Sequence, residues 1–165
     1  MKILGIDPSL RSTGFGVIEV RGNQMTALCH GHVQNPPKLL PSRCLVRIGD
    51  EVKRLIEKYE PDAVAIEGLV YVQNTRIAFT LGQVRGVVIA AAAANNLLIY
   101  EYAPRKVKQA VTGLGGAGKT QVGNMVKAML GLAEIPQADA GDALALAICH
   151  AHNCRGIQDN RAKEI

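Results

Sequence analysis

Two short apolar runs end on an acid: KILGID closes on Asp7 and AVAIE on Glu67. A carboxylate at the end of a buried strand is costly to hold in a core, so each belongs at a sheet margin or beside a neutralising cation. Farther along, QADAGDALALA carries Asp139 and Asp142 three residues apart, a spacing that sets both side chains on one face of a helix. If that face meets the strand ends, four carboxylates converge. An all-oxygen set of this kind suits hard divalent cations such as Mg²⁺. Two such ions about 3.5 to 4 Å apart clamp the attacking and leaving oxygens of a phosphodiester during hydrolysis. A plainer reading stands beside this one for the helical pair, because the N-terminal end of a helix favours acids through its dipole alone.

The stretch GLGGAGKT, Gly113 to Thr120, fits the phosphate-loop spacing of glycines followed by Lys and Thr. A nucleotide-binding loop of that type joins a buried strand to a helix. Here PRKVKQAVT comes first and reads as a helix with Pro104 in its opening turn. Only 45 residues follow Thr120, too few for the rest of a nucleotide domain. The local physics survives without a nucleotide: glycines admit close approach of backbone to ligand, and a helix N-terminus draws phosphate whatever molecule carries it. CHAHNC, Cys149 to Cys154, offers zinc's preferred ligand types. Along a helix, however, Cys149 and His152 share one side while His150 and Cys154 share another, so buried cysteines and surface histidines are expected instead. His30 and His32 share a strand face and read as structural.

Elements must hold these groups in place. KILGI and TGFGVIEV predict two buried strands with the loop DPSLRS between them. Gly22 and Asn23 signal a turn into a third strand, on which Met25, Ala27, Cys29 and Val33 alternate. After the proline-rich NPPKLLPS, the residues Leu45, Ile48, Val52, Leu55 and Tyr59 mark a helix face with Ser42 as its cap. PDAVAIEG predicts a fourth buried strand. The alanine-rich run from Thr75 to Ala94 predicts a long helix, in which Gly82 and Gly86 suit close helix packing. LLIYEY predicts a fifth strand, followed by a short helix from Pro104 with Val107 and Val111 inward. Two more helices follow, one on Val122, Met125, Val126, Met129 and Leu130, the last with Leu144, Ala147, Ile148 and Ala151 inward. Three leading strands and then alternating helix and strand predict an α/β fold, a mixed five-stranded sheet flanked by helices.

At 165 residues the chain suits one domain. We place it at 1–155, with a polar, flexible tail over 156–165. The 19 Lys+Arg against 14 Asp+Glu leave a net charge of +5, which favours a polyanionic partner. The four cysteines lack the spacing of a secreted disulfide framework. Asp7 also interrupts the opening apolar run before it reaches signal-peptide length, so a reducing, cytoplasmic setting is expected. The most apolar stretch, GVVIAAAAANNLLIY, is broken at Asn95 and Asn96 short of the roughly 20 residues of a membrane span. No membrane association is expected.

Taken in order, GIDPSLRSTGFGV, AIEG, LGQVRG, YAPRKVKQAVTGLGGAGKTQV and QADAGDALALAICH resemble the RuvC family of Holliday junction resolvases. Five collinear blocks spanning almost the whole chain carry that resemblance. It implies a ribonuclease H-like fold, a homodimer, and Mg²⁺-dependent nicking of two symmetric strands of four-way junction DNA, with two metal ions per active site and Mn²⁺ as the alternative ion. It implies Asp7, Glu67, Asp139 and Asp142 as the catalytic and metal-holding acids, and Lys108 and Lys119 as phosphate contacts. It also implies an aromatic ring stacking on bases unpaired near the crossover. Val70 falls where that ring is first sought, and Tyr71, the next residue, is the candidate; Arg76 nearby is a candidate phosphate contact. A branch-migration motor complex is implied as a partner, and the helix from Thr75 is the expected dimer interface. Two other classes remain open at this point. One is an actin-like ATPase or kinase, whose glycine-bearing phosphate hairpin DPSLRSTGFG resembles, and the other is a junction-binding protein without chemistry.

Overall fold

The computed structural model describes residues 1–68, 74–155 and 163–165. Strands β1 (Lys2–Asp7), β2 (Ser12–Arg21) and β3 (Gln24–Gln34) open the chain as an antiparallel meander. Then come α1 (Pro41–Tyr59), β4 (Ala63–Glu67), α2 (Thr75–Ala93), β5 (Leu98–Tyr102), α3 (Pro104–Thr112), α4 (Lys119–Leu130) and α5 (Ala138–Arg155), with a two-residue β6 (Lys163–Glu164) last. The sheet order is β3-β2-β1-β4-β5-β6, with β4 parallel to both β1 and β5. The mixed five-stranded sheet expected from the sequence is present, and β6 adds a short antiparallel edge beside Tyr100 and Glu101.

Strand alternation divides the core in two. Ile3, Ile18, Ala65 and Tyr102 pack on the side of α3, α4 and α5. Leu4, Ile6, Val17, Val64, Ile66 and Ile99 pack on the side of α1 and α2. Because β1 and β4 are covered on both faces, they read as continuous apolar runs instead of alternating ones. Helix α1 starts one residue before the expected cap: Pro41 takes the first turn and Leu40 the cap position, with no side-chain cap bond. Proline's fixed φ and missing N–H suit that first position better than Ser42 would need to.

Helix α5 is the layer's centre, with every residue from Ala143 to Ala151 buried. It reaches the sheet through glycines. A Cβ on Gly5 would lie 2.0 Å from the Ala143 carbonyl oxygen, one on Gly14 2.0 Å from that of Asp139, and one on Gly16 2.6 Å from Leu144 Cδ2. Gly5 pairs with Gly16 across β1 and β2, and Asp7 pairs with Gly14. The bare patch is therefore continuous, and it leads to the strand end where Asp7 sits.

Helix α2 packs on the opposite face through Val84, Arg85, Val88, Ala91 and Ala92. Its outer side leaves Ile77 56% and Phe79 76% exposed. Gly82 and Gly86, expected to admit a close helix contact, lie on that outer side, where an added Cβ would meet no other element among the described residues within 4 Å. Among the described residues, α2 is by length and composition alone apolar enough to cross a membrane. In the fold it lies against the sheet with a charged side chain inward.

Substituting Gly5→Ala puts a methyl group against backbone that can yield only by moving the helix off the sheet, and the expected cost is about 3 kcal/mol, the upper end for overpacked cores. Gly31→Ala is the contrast. Its Cβ would meet the Phe15 ring at 2.8 Å, and that ring borders an open groove into which it can turn. The expected cost there is within about 1 kcal/mol. Urea unfolding midpoints of the two variants check the difference.

Candidate active site

Asp7 ends β1 and Glu67 ends β4, and the two strands run side by side with Ile6 next to Ile66. Both acids are spaced two residues from side chains or glycines that face α5, so both carboxylates emerge on that face. Asp142 follows on α5, one turn after Asp139, and its helix is brought within reach by the glycine patch. Asp7, Glu67 and Asp142 line one cleft of about 220 Å³. Lys108 of α3 and Lys119 of α4 close its other side, over a floor that includes Val107, Val122 and Leu146. Five of the expected site residues are thus gathered at one place.

The cleft concentrates negative charge in partly buried surroundings. Burial, and after it repulsion from Glu67, Asp142 and Asp139, pushes the Asp7 carboxyl from its ordinary 3.8 up to about 7, with Lys119 opposing. Glu67 is raised as well, first by burial and then by Asp142, against the pull of Lys119, Arg85 and Lys108. Lys119 Nζ lies 3.4 Å from Asp142 Oδ2, but the lysine side chain is 80% exposed, so the pair relieves little of this repulsion. The acids are held together against their own charge, which is the electrostatic condition of a site built for a cation.

Asp139 is placed differently. Ser12 Oγ donates to its Oδ2, as does Gln137 Nε2 at 3.0 Å. Burial works to raise this carboxyl, but the hydrogen bonds from Ser12 and Gln137, helped by His32 and Lys119, outweigh it and hold the group below its ordinary value. Both bonds fall on one oxygen, leaving Oδ1 for another partner. Among the described residues, no three His, Cys, Asp or Glu side chains sit close enough to form a preassembled metal cage. The donor chemistry fits a hard divalent cation, while the carboxylates stand apart as a charged rim.

The remaining candidates separate. Tyr71 lies outside the described residues. Arg76 is exposed in the first turn of α2 and does not line the cleft. GLGGAGKT joins two helices, with Gly113 at φ 78 ending α3 and Gly118 capping α4, so the strand a nucleotide loop needs is absent there. In CHAHNC, His150 Nε2 meets Cys154 Sγ at 3.3 Å while His152 Nδ1 meets the Ala110 carbonyl at 3.1 Å, the two-sided split expected of a helix. His150 is no surface histidine: it is 2% exposed, bonded through Nδ1 to the Tyr102 hydroxyl at 2.7 Å, and held by burial down at about 4. Sequence reasoning missed Ser12, Gln137 and His32 around Asp139, and Arg85 beside Glu67. Gln137 could have been found, since a polar residue two before a helical acid suits a helix start; the others are brought in by packing between elements distant in sequence.

A family model described as "Crossover junction endodeoxyribonuclease RuvC" matches residues 3–150. The crossover junction endodeoxyribonuclease RuvC of Caldicellulosiruptor saccharolyticus is 45% identical over 152 residues, 91% of this chain and 92% of its own. That of Trichlorobacter lovleyi is 49% identical over 154 residues, 93% of this chain and 86% of its own. The structure of T. thermophilus RuvC in complex with a Holliday junction substrate matches with a TM-score of 0.92 at 34% identity, covering 100% of this chain and 99% of that one.

The raised Asp7 carboxyl has a stability consequence with a definite sign. The folded state binds a proton that the unfolded chain has lost above its ordinary 3.8, so stability falls as pH rises from there to about 7 and then levels off. At about 1.4 kcal/mol per pH unit this amounts to about 4 kcal/mol. In EDTA, urea unfolding should show the decline, and Asp7→Asn should flatten it and be the more stable protein at pH 8.

Proposed function

The chain belongs to the RuvC family of crossover junction endodeoxyribonucleases and has its ribonuclease H-like fold, and from that premise we propose how its own residues share the work. The protein is a structure-specific endonuclease that resolves four-way DNA junctions in recombination and repair. The observation that carries the site assignment is the meeting of Asp7, Glu67 and Asp142 in one cleft with Lys108 and Lys119 across from them.

Asp7, Glu67, Asp139 and Asp142 form the catalytic set and hold two divalent ions, Mg²⁺ or Mn²⁺, per protomer. Such ions, when bound, supply Lewis acidity at the phosphoryl oxygens and offset charge on the leaving oxygen. The protein's part is to hold the four acids near one another against their mutual repulsion. Asp7, central and shielded from water, depends most on a cation to stay ionised at neutral pH. Asp139 keeps one oxygen on Ser12 and Gln137 and offers the other. Lys108 and Lys119 supply positive charge to a phosphate entering the cleft and stabilise what develops on it during cleavage. A protein that only bound junctions would gain nothing from four carboxylates beside DNA phosphates.

Beyond the cleft, Tyr71 stacks on a base near the crossover and Arg76 contacts the DNA backbone. Two symmetric cuts require two sites related by a twofold axis, so the working form is a homodimer. The exposed Ile77 and Phe79 on the outer side of α2 supply an apolar surface for the interface. The protein works in the cytoplasm, where a branch-migration motor complex delivers its junctions.

The test is a labelled synthetic four-way junction beside a matched linear duplex, with Mg²⁺ or with EDTA. Paired symmetric nicks in the junction with Mg²⁺ alone are expected; equal cutting of both DNAs would overturn the structural specificity. Asp7→Asn should slow cleavage about a thousandfold or more, and junction affinity in EDTA should hold or rise because a repelling charge is gone. Phe79→Glu should sediment as a monomer and lose paired cutting; a wild-type monomer at working concentration would refute the dimer.

A further inference from the structure

On the face of the sheet away from the cleft, Arg85 is buried at 6% exposure in the middle of α2. A buried guanidinium is costly unless its donors are met. Its Nη1 donates to the main-chain carbonyl of Glu67, and its Nη2 reaches Glu101 Oε2 at 3.3 Å. Glu101 is the β5 partner of Ile66, and Tyr102 that of Glu67. Alternation therefore sends the Glu101 side chain to the α2 face, while the Glu67 carboxylate leaves on the α5 face. Gly68, immediately after, donates its N–H to the Tyr102 carbonyl at 2.8 Å, and a Cβ on it would come 2.9 Å from Glu101 Oε1. The end of β4 is thus held on one side by β5 backbone and from behind by a guanidinium spanning two acceptors.

We propose that Arg85 is a positioning residue for strand cleavage: from behind the sheet its guanidinium bridges the Glu67 carbonyl to the Glu101 carboxylate and fixes how Glu67 enters the cleft. This rests on the reading of Glu67 as a catalytic acid. It also makes α2 the other end of the device. The helix that seats Arg85 carries Ile77 and Phe79 outward, so whatever covers that surface bears on one catalytic carboxylate through a single rigid group. A lysine cannot replace it, since an ammonium is one compact charge and the bridge needs a planar fork with several donors.

Arg85→Lys, Glu101→Gln, the double variant and Glu67→Gln test this in the full-length protein. Circular dichroism and urea unfolding report the fold, a gel shift in EDTA reports junction affinity, and cleavage is followed against Mg²⁺ concentration. Mn²⁺ binding to the DNA-free protein, read by electron paramagnetic resonance, gives a signal independent of turnover. Arg85→Lys is expected to fold, to bind junction within about twofold, to cut about 10- to 100-fold more slowly and to bind Mn²⁺ more weakly, as loss of a ligand's supporting partner does. The double variant should be no worse than Arg85→Lys alone. A folded Arg85→Lys that cuts and binds Mn²⁺ like wild type overturns the proposal, as does one whose cutting falls only in step with junction affinity. If Arg85→Lys does not fold, Glu101→Gln carries the same test. Should Glu67→Gln cut normally, the catalytic reading itself is lost; if Glu67→Gln is inactive while Arg85→Lys is normal, only the positioning role is.

Discussion

Helix α5 lies directly on the backbone of β1 and β2, and three hydrogens make that possible. With a methyl group at Gly5, Gly14 or Gly16 the helix would stand off the sheet. Asp139 and Asp142 would then retreat from Asp7 and Glu67 by a distance comparable to a side-chain bond or two. The contact also explains the helix's composition. A helix buried over Ala143 to Ala151 on nearly every side needs small residues where it meets strands and helices alike, and ALALAIC provides them. Packing here serves the position of two carboxylates as much as it serves the core.

That position is maintained against the charges it brings together. Asp7 is the residue most burdened, by burial and by three neighbouring acids, and Lys119 offers it only a partial and exposed counter-charge. Asp139 is relieved instead, because Ser12 and Gln137 donate to it. The two ends of this range show what the fold supplies and what it leaves to a ligand. Hydrogen-bond donors satisfy the acid at the rim, while the centre is left electrostatically unsatisfied, a stability sacrifice of the kind found at active sites.

The legible part of this arrangement was what a single element can record. An acid closing an apolar run placed Asp7 and Glu67 at strand ends, and three-residue spacing put Asp139 and Asp142 on one helix face. The helix before GLGGAGKT excluded a nucleotide loop by the same kind of local evidence. What was not legible depends on pairing between elements. Ser12 reaches Asp139 across 127 positions of sequence, and Arg85 meets Glu101 only because β4 and β5 lie side by side in a given register. His150 looked superficial for the same reason, since nothing near it in sequence announces Tyr102 as its neighbour. Ser42 failed as a cap because Pro41 competes for the helix start with a stronger local preference.

The glycine patch also bears on the order in which the molecule is made. β1 and β2 are the first elements of the chain, and the helix that covers their bare backbone spans Ala138–Arg155. During synthesis the patch stays uncovered until more than a hundred further residues have been added, a long-range closure of the slow, non-local type. Asp7 reaches Asp142 only at that closure. A partly made chain therefore holds Asp7 and Glu67 on the sheet and lacks Asp139 and Asp142, so on the proposed reading the site is assembled only when the last helix docks.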